Sequence, residues 1–460
     1  MSKPMATCAE VLSEFTHDLH LDAIPREVRE NVALRVLDIL GIALASTAQD
    51  FAPSLLGLVE AWGSGECTVI GTKLHAPAPM AILTNGSLAH GLDYDDTHTA
   101  AICHASAVVV PTALALGESL ALDGATVLAA MVAGYETITR IGMAAPGEFH
   151  ARGWHATGVC GTFAATLVAG KCLGLSRSQL TAALGIAGSF ASGVLEHLED
   201  GSWVKRLHPG WAGHSGALAA GLARGGFTGP ATILEGRFGL YRTFLGSVPD
   251  LSRVTAELGS RWETLRVAFK PYPCCHYNHA YMDCAARLKR EHGLTPGTIQ
   301  EVECLVPAGQ VPIVCEPLEA KRRPRTPYDA QFSLAYSVAA ALVDDEVGVD
   351  TYSPERIKDE RLLAVARKVR YTVDPGSAFP RTFPGRLRIR LVDGRVLEAA
   401  EPFNRGSAEN PLGVSEVVAK FRRNAGRVLP PSRVSTLEEA ALGLERASSL
   451  RPLLALCALP

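Results

Sequence analysis

A mainly α protein, with a large helical part followed by a smaller α+β part, is what the sequence predicts, and three observations carry that reading. Apolar residues recur at helical spacing from the N-terminus to about residue 245; alternating, strand-like stretches appear among helices after about residue 265; and Val414 to Ala425 returns to the helical pattern. At roughly 150 residues per domain, the 460 residues allow two to three domains or one large one with an insertion. A hydrophobic content of 47% is enough for a sizeable core.

Pro25 suits a first helical turn and opens a segment in which Val28, Val32, Val36, Leu40 and Leu44 share one face. Further helices are expected over Val127 to Ile141, Thr162 to Leu173, Gln179 to Ala191 and Ala217 to Ala223. Small residues, as in Leu218-Ala219-Ala220-Gly221-Leu222-Ala223, would let helix axes approach closely despite the propensity cost of glycine. Beyond residue 265, Ile299, Val302, Cys304 and Val306 fall among polar residues as in a half-buried strand. Leu387 to Leu391, followed by Val392-Asp393-Gly394-Arg395, reads as a strand entering an Asp-Gly hairpin turn. Helical patterns over Ala280 to Glu291 and Asp329 to Leu342 lie between these strands, so an α+β region of roughly 269 to 400 is expected, with Lys321 to Pro327 as an exposed loop.

Forty-four Lys+Arg against 47 Asp+Glu leave a net charge of −3, which excludes a chain held on nucleic acid or anionic membrane by bulk electrostatics and favours a small-molecule ligand. The apolar stretch from Ala105 to Leu122 contains Pro111, Gly117 and Glu118 and falls short of the ~18 uninterrupted apolar residues of a membrane span. Met1 to Cys8 lacks the basic-then-apolar profile of a secretory signal, and Glu10, Glu14 and Asp18 do not suit a transit peptide, so a cytoplasmic location is expected. Eleven scattered cysteines with no C-x-x-C pair read as reduced thiols, not as a disulfide framework or zinc ribbon.

The densest polar cluster runs from Asn85 through His90, Asp93, Asp95, Asp96, Thr97 and His98 to His104 and Ser106. Three carboxylates and three imidazoles so close together can ligate a metal or build a proton-transfer site; alternatively the carboxylates cap the flanking helices and the imidazoles are solvated. Metal spacing is weak here. His90-x-x-Asp93 fits a helix face, but H-E-x-x-H, a second Cys/His cluster and an EF-hand loop are all missing from the sequence, so no metal is expected. Two further islands, His150 to Gly158 and Trp203 to Gly210, each lead into a helix, where an imidazole or a cation beside the N-terminus would favour an anion. A fourth, Phe269 to His279, crosses the expected domain boundary. There Lys270, His276 and His279 could close over a carboxylate, while Cys274 and Cys275 read as small buried fillers. Such loops in a nearly neutral chain suggest a pocket for a small polyanion.

These residues also carry a resemblance. Asn85-Gly86 to His90, Asp93 to His98 and His104-Ala105-Ser106 resemble the signature of the MmgE/PrpD family, which contains 2-methylcitrate dehydratase, cis-aconitate decarboxylase and iminodisuccinate epimerase. The likeness continues through Gly134-Tyr135-Glu136, Arg140, Gly153 to Thr157, Lys205, Gly226 to Pro230 and Lys270 to His276, and reaches Asn410-Pro411-Leu412 and Lys420-Phe421-Arg422. It implies a helical domain built from 1–268 and 401–460, an α+β lid domain over 269–400, a homodimer, and chemistry on a small carboxylate with no metal or organic cofactor. The site it implies comprises Asp93, Thr97, His104, His155 and Lys205, joined by Lys270 and His279 from the boundary.

The chemistry common to that family is proton transfer at carbon next to a carboxylate, which needs a placed base and cations for the developing charge. On this reading His104 is the acid/base, Asp93 orients or stabilises an imidazole, His155 is a second proton carrier or oxyanion partner, and Thr97 donates a hydrogen bond. Lys205, Lys270, His276 and His279 bind substrate carboxylates. Dehydration is the first expectation, decarboxylation and epimerisation the alternatives. The family's decarboxylase branch has an active-site tyrosine from the lid, and the matching stretch near Pro307 to Pro312 has none. Rivals from other classes are a metal-dependent hydrolase using the Asp/His cluster and a non-catalytic helical binding protein.

Overall fold

The computed structural model describes residues 6–459, so the first five residues used in the leader reading lie outside the described residues. Helices dominate. The six that frame the site are α1 (Arg26–Ser46), α2 (Ala78–His90), α3 (Ser106–Ser119), α4 (Gly124–Ala144), α5 (Ala156–Cys172) and α6 (Val204–Arg224). Pro25 precedes α1 as its N-cap, and at the start of α4 the Asp123 side chain accepts the Thr126 N–H at 2.7 Å, satisfying one of the amides a helix start leaves free. The segment from Ala105 to Leu122 forms α3 with Pro111 inside it, and among the described residues no helix is long and apolar enough to cross a membrane.

Helix α6 begins earlier than the sequence reading, which placed Trp203 to Gly210 as a loop and helix only from Ala217. Packing overrides the Pro209-Gly210 break signal. A Cβ at Gly210 would lie 2.1 Å from the Leu83 carbonyl oxygen of α2, so glycine there lets α6 press directly on α2. On its other side α6 packs against α5. Lys205 and His208 therefore project from helix turns of fixed geometry.

After residue 270 come α7 (His279–His292), α8 (Leu334–Val343) and a four-stranded sheet of β1 (Ile299–Val306), β2 (Val369–Val373), β3 (Gly385–Leu391) and β4 (Val396–Glu401). The strand order is β2-β1-β3-β4, with β1 and β2 parallel and the remaining pairs antiparallel. Val302 lies opposite Ile389, the alternating burial of β1 and β3 puts their apolar residues on one face, and α7 packs on β3 and β4. The Asp-Gly turn is present, with Gly394 at φ 89°. The helix expected over Asp329 to Leu342 is broken at Phe332 into Pro327–Gln331 and α8. Lys321 to Pro327 is less loop-like than expected: Leu318–Arg322 is helical, and Lys321 donates to the Ile313 and Phe332 carbonyls at 2.8 and 2.7 Å.

Apolar burial separates into two main clusters. One draws on residues between Ala9 and Val267 and again on Phe421 to Cys457; the other draws on Cys274 to Ala399 together with Ile102. The polar loop after α2 lies between them and is held by buried ion pairs. Arg35 of α1 donates to Asp96 at 2.9 Å, and Lys420 of α9 (Val414–Ala425) donates to Asp38 at 3.0 Å and to the Tyr94 carbonyl at 2.8 Å. Thr97–His98 also pairs antiparallel with Val267–Ala268, which ties the loop to the segment entering the second cluster.

Candidate active site

The reading of this polar loop as helix caps with solvated imidazoles does not hold. His90, Asp93, Asp95, Asp96, Thr97 and His98 are all buried. Asp96 does accept the first N–H of α3, from Ser106 at 3.0 Å, while Asp93 and Asp95 turn to other partners. Asp93 adopts φ 48°, a left-handed conformation that costs a non-glycine residue energy and that the surrounding ion pairs enforce.

A cavity of about 60 Å³ opens beside this loop, lined by Asp93, Thr97, His104, His150, His155, His197, Lys205 and His276 with an apolar remainder that includes Tyr277, Phe332 and Phe383. That volume exceeds what one water occupies and suits a small ligand. Six of the eight site residues expected from sequence line it. The other two do not: Lys270 is buried and donates to the Asp93 carbonyl and carboxylate at 2.8 and 3.0 Å, and His279 is buried with Nε2 3.2 Å from the Cys274 carbonyl. Arg152, from the second polar island, is exposed to solvent.

Asp93 sits between two ammonium groups, Lys205 on one carboxylate oxygen and Lys270 on the other. Burial pushes its pKa up, but the two lysines outweigh that and hold it well below the usual carboxylate range. His104 is defined by its Nδ1, which lies 2.7 Å from the Asp96 carbonyl oxygen and 3.2 Å from Thr97 Oγ1. A carbonyl only accepts, so Nδ1 carries the proton and Nε2 keeps its lone pair. Burial first, then the Lys205 charge, lowers the His104 pKa well below the ordinary value and keeps the ring neutral. Its side chain is nevertheless 11% exposed, which leaves the ring open to a ligand.

Around His104 stands a group of imidazoles that sequence reading only partly assembled. His90, from the last turn of α2, has Nδ1 2.9 Å from both oxygens of Asp95, and its ring centroid is 4.8 Å from that of His104. His155 precedes α5 and faces His208 of α6 with their Nδ1 atoms 2.9 Å apart. The Nε2 atoms of His90 and His155 are buried without a hydrogen-bond partner, and one ring nitrogen from each of His90, His104 and His155 lies within 4.8 Å of the others, an arrangement that could hold a metal ion. Only the folded chain brings His150, His197 and His208 to this place, since they come from separate elements. His276 accepts from Asn404 Nδ2 at 2.6 Å, fixing its ring in the cavity wall.

The stretch 307–312 supplies no tyrosine, yet a phenol reaches the cavity from the boundary segment. The Tyr277 ring meets Phe379 and Phe383 edge to face, with centroids 5.4 and 5.0 Å apart. Chemically the arrangement offers a neutral imidazole base, a buried ammonium for an anion, and a wall that excludes bulk water.

Comparison with known proteins bears on the family of the chain. Residues 10–251 match the MmgE/PrpD N-terminal domain and residues 272–446 match the MmgE/PrpD C-terminal domain, whose span runs past the boundary at 400 expected from sequence. The chain is 29% identical to a cis-aconitate decarboxylase of Aspergillus terreus, covering 98% of this chain and 96% of that protein. It is 25% identical to the cis-aconitate decarboxylase of Mus musculus (94% and 90% covered) and 26% identical to that of Homo sapiens (96% and 92% covered). With both domains matched over most of its length, the chain belongs to the MmgE/PrpD family.

Proposed function

We propose that this protein is a lyase that decarboxylates a small unsaturated tricarboxylate of the cis-aconitate type. Dehydration was the first expectation from sequence; the named relatives, all cis-aconitate decarboxylases along nearly their whole length, move the preference to decarboxylation. One observation carries the reading: the free Nε2 of His104 and the ammonium of Lys205 line the same small cavity.

In such a substrate one carboxylate is β,γ to the double bond. Its C–C bond breaks to release CO₂, the electron pair forms a new double bond, and the old one takes a proton at carbon next to another carboxylate. Lys205 holds a carboxylate, and His104 handles the proton, acquiring it as the incoming anions raise the pKa that burial had lowered. His155 and the Tyr277 hydroxyl are the additional proton or hydrogen-bond donors. Lys270 and His279 act from behind: Lys270 fixes the charge and place of Asp93, and His279 packs on His276 with centroids 4.6 Å apart.

The apolar wall from Ile313, Phe332 and Phe383 comes from the 269–400 region, which supports its role as a closing lid. Ligand-free and ligand-bound crystals with identical placement of that region would exclude closure. The proposed assembly is a homodimer, and unpaired cysteines at all eleven positions fit a reducing cytoplasm. The deciding experiment follows cis-aconitate with the protein in D₂O by NMR. Release of CO₂ with an unsaturated dicarboxylate one carbon shorter, carrying one new deuterium, is expected; a hydroxy-tricarboxylate formed without CO₂ would instead establish the dehydratase reading.

A further inference from the structure

We propose that His90, His104 and His155 together form a binding site for a divalent transition-metal ion of the zinc type, and that filling it shuts off the proton chemistry of the cavity. No residue of this triad needs a new partner to become a ligand. In each ring the nitrogen already engaged is Nδ1: His90 with the Asp95 carboxylate at 2.9 Å, His104 with the Asp96 carbonyl at 2.7 Å, His155 with His208 at 2.9 Å. Metal-bound histidines normally donate their second nitrogen to a carboxylate or carbonyl that fixes the tautomer and strengthens the ligand, as His90 and His104 do here, while His155 has the His208 imidazole in that place. The free Nε2 atoms of His90 and His155 are buried with no protein partner, a state that costs free energy unless something occupies it.

Distance and charge set how strong the site can be. The ring nitrogens lie within 4.8 Å of one another, whereas zinc at its usual bond length of about 2.0 to 2.1 Å spaces tetrahedral ligands about 3.4 Å apart. Small ring rotations must therefore close the triad around the ion. Burial keeps all three imidazoles neutral near pH 7, so protons do not compete for them. Against the cation stand Lys205 and Lys270, set against the Asp93 carboxylate between them and the Asp95 carboxylate beside His90 and His104. Rings that must rotate inward and two ammonium groups nearby make the expected affinity weaker than that of a structural zinc site.

The wide cleft that leads to the cavity carries Glu148, Glu196, Glu199 and Glu316, all exposed. Inhibition, unlike binding, rests on the proposed role of His104 as acid/base, because an ion on Nε2 removes its lone pair.

The test begins with wild-type protein stripped by chelator and titrated with Co²⁺ alone. The intense visible bands of four-coordinate cobalt should appear, saturate at one ion per chain, and vanish on adding Zn²⁺. A spectrum that stays that of hydrated cobalt would overturn the site without any variant. His90→Gln and His155→Gln, each checked for native circular dichroism, should weaken Co²⁺ binding at least tenfold; unchanged affinity in both would also overturn it. In parallel, turnover of cis-aconitate should fall in proportion to Zn²⁺ occupancy and return with chelator. Turnover that rises with occupancy would refute inhibition and point to metal-assisted chemistry, while cobalt bands without any turnover of cis-aconitate would leave the site standing and sink the decarboxylase reading alone.

Discussion

At the scale of single residues the proposed chemistry depends on one tautomer. His104→Asn keeps a hydrogen-bonding side chain of similar size but offers no basic nitrogen, so kcat should fall roughly 10²-fold or more with KM little changed. Solvent exchange of the substrate proton at the wild-type rate in that variant would move the acid/base to His155. The two lysines make a second contrast. Lys205→Ala should cost about 1.5–3 kcal/mol in kcat/KM, the worth of a charge-assisted bond to a carboxylate, because Lys205 lines the cavity. Both variants break a buried pair with Asp93, but Lys270 lies off the cavity, so Lys270→Met should show its cost of about 3–5 kcal/mol in stability, as a lowered Tm, and not in substrate binding. Wild-type kinetics in Lys205→Ala would reduce that residue to a counter-ion of Asp93. Asp93, Thr97, His104 and Lys205 were readable in the sequence because they carry the family pattern. The partition between Lys205 and Lys270 is not legible there, since it depends on which ammonium the fold leaves facing the cavity, and Tyr277 is not legible because only the fold brings the boundary segment into the cavity wall.

Among the elements, α6 has two working faces. Lys205 and His208 turn toward the site, while Val204, Leu207, Trp211 and Leu218, each 42–46% exposed, form a solvent-facing stripe at helical spacing. An apolar stripe of that kind on a surface helix is what a partner covers, and a second copy of this chain is the proposed occupant. Leu218→Lys should convert the dimer to monomer in light scattering at micromolar concentration; a monomeric wild type, or a dimer indifferent to this change, would exclude the stripe as the interface. Periodicity exposed most helices and the β1 and β3 strands, whose patterns depend only on which face is buried. It failed at the start of α6, where Pro209-Gly210 looks like a break, because the requirement for glycine against Leu83 comes from a helix more than a hundred residues away in sequence.

For the whole molecule, burying so many imidazoles makes stability depend on pH in a calculable direction. Burial, the largest cause in each case, lowers His208 and His276 to about 3 and His150 and His197 to about 4, and holds His90, His104, His155 and His279 well below the ordinary value. In the unfolded chain each returns to about 6.5. Below that pH the unfolded state binds protons that the folded state refuses, so the stabilisation these groups confer is complete above 6.5 and is lost progressively as pH falls. Each contributes a slope of about 1.4 kcal/mol per pH unit until its folded value is reached. Asp93 works lower down: its depressed pKa preserves its contribution at mildly acid pH and gives it up only as pH falls through that folded value. Even two or three histidines acting together reach roughly 3–4 kcal/mol per pH unit, large beside the ~5–15 kcal/mol that usually separates folded from unfolded states. Thermal melts from pH 7.5 to 4.5 should therefore show Tm steady at the upper end and dropping steeply below about 6.5, with a shallower drop in His276→Gln, which removes one titrating group. A Tm that stays level down to pH 5 would mean that the imidazoles take up protons inside the folded protein, and with that the neutral ligand-free state given to His104 would lose its physical ground.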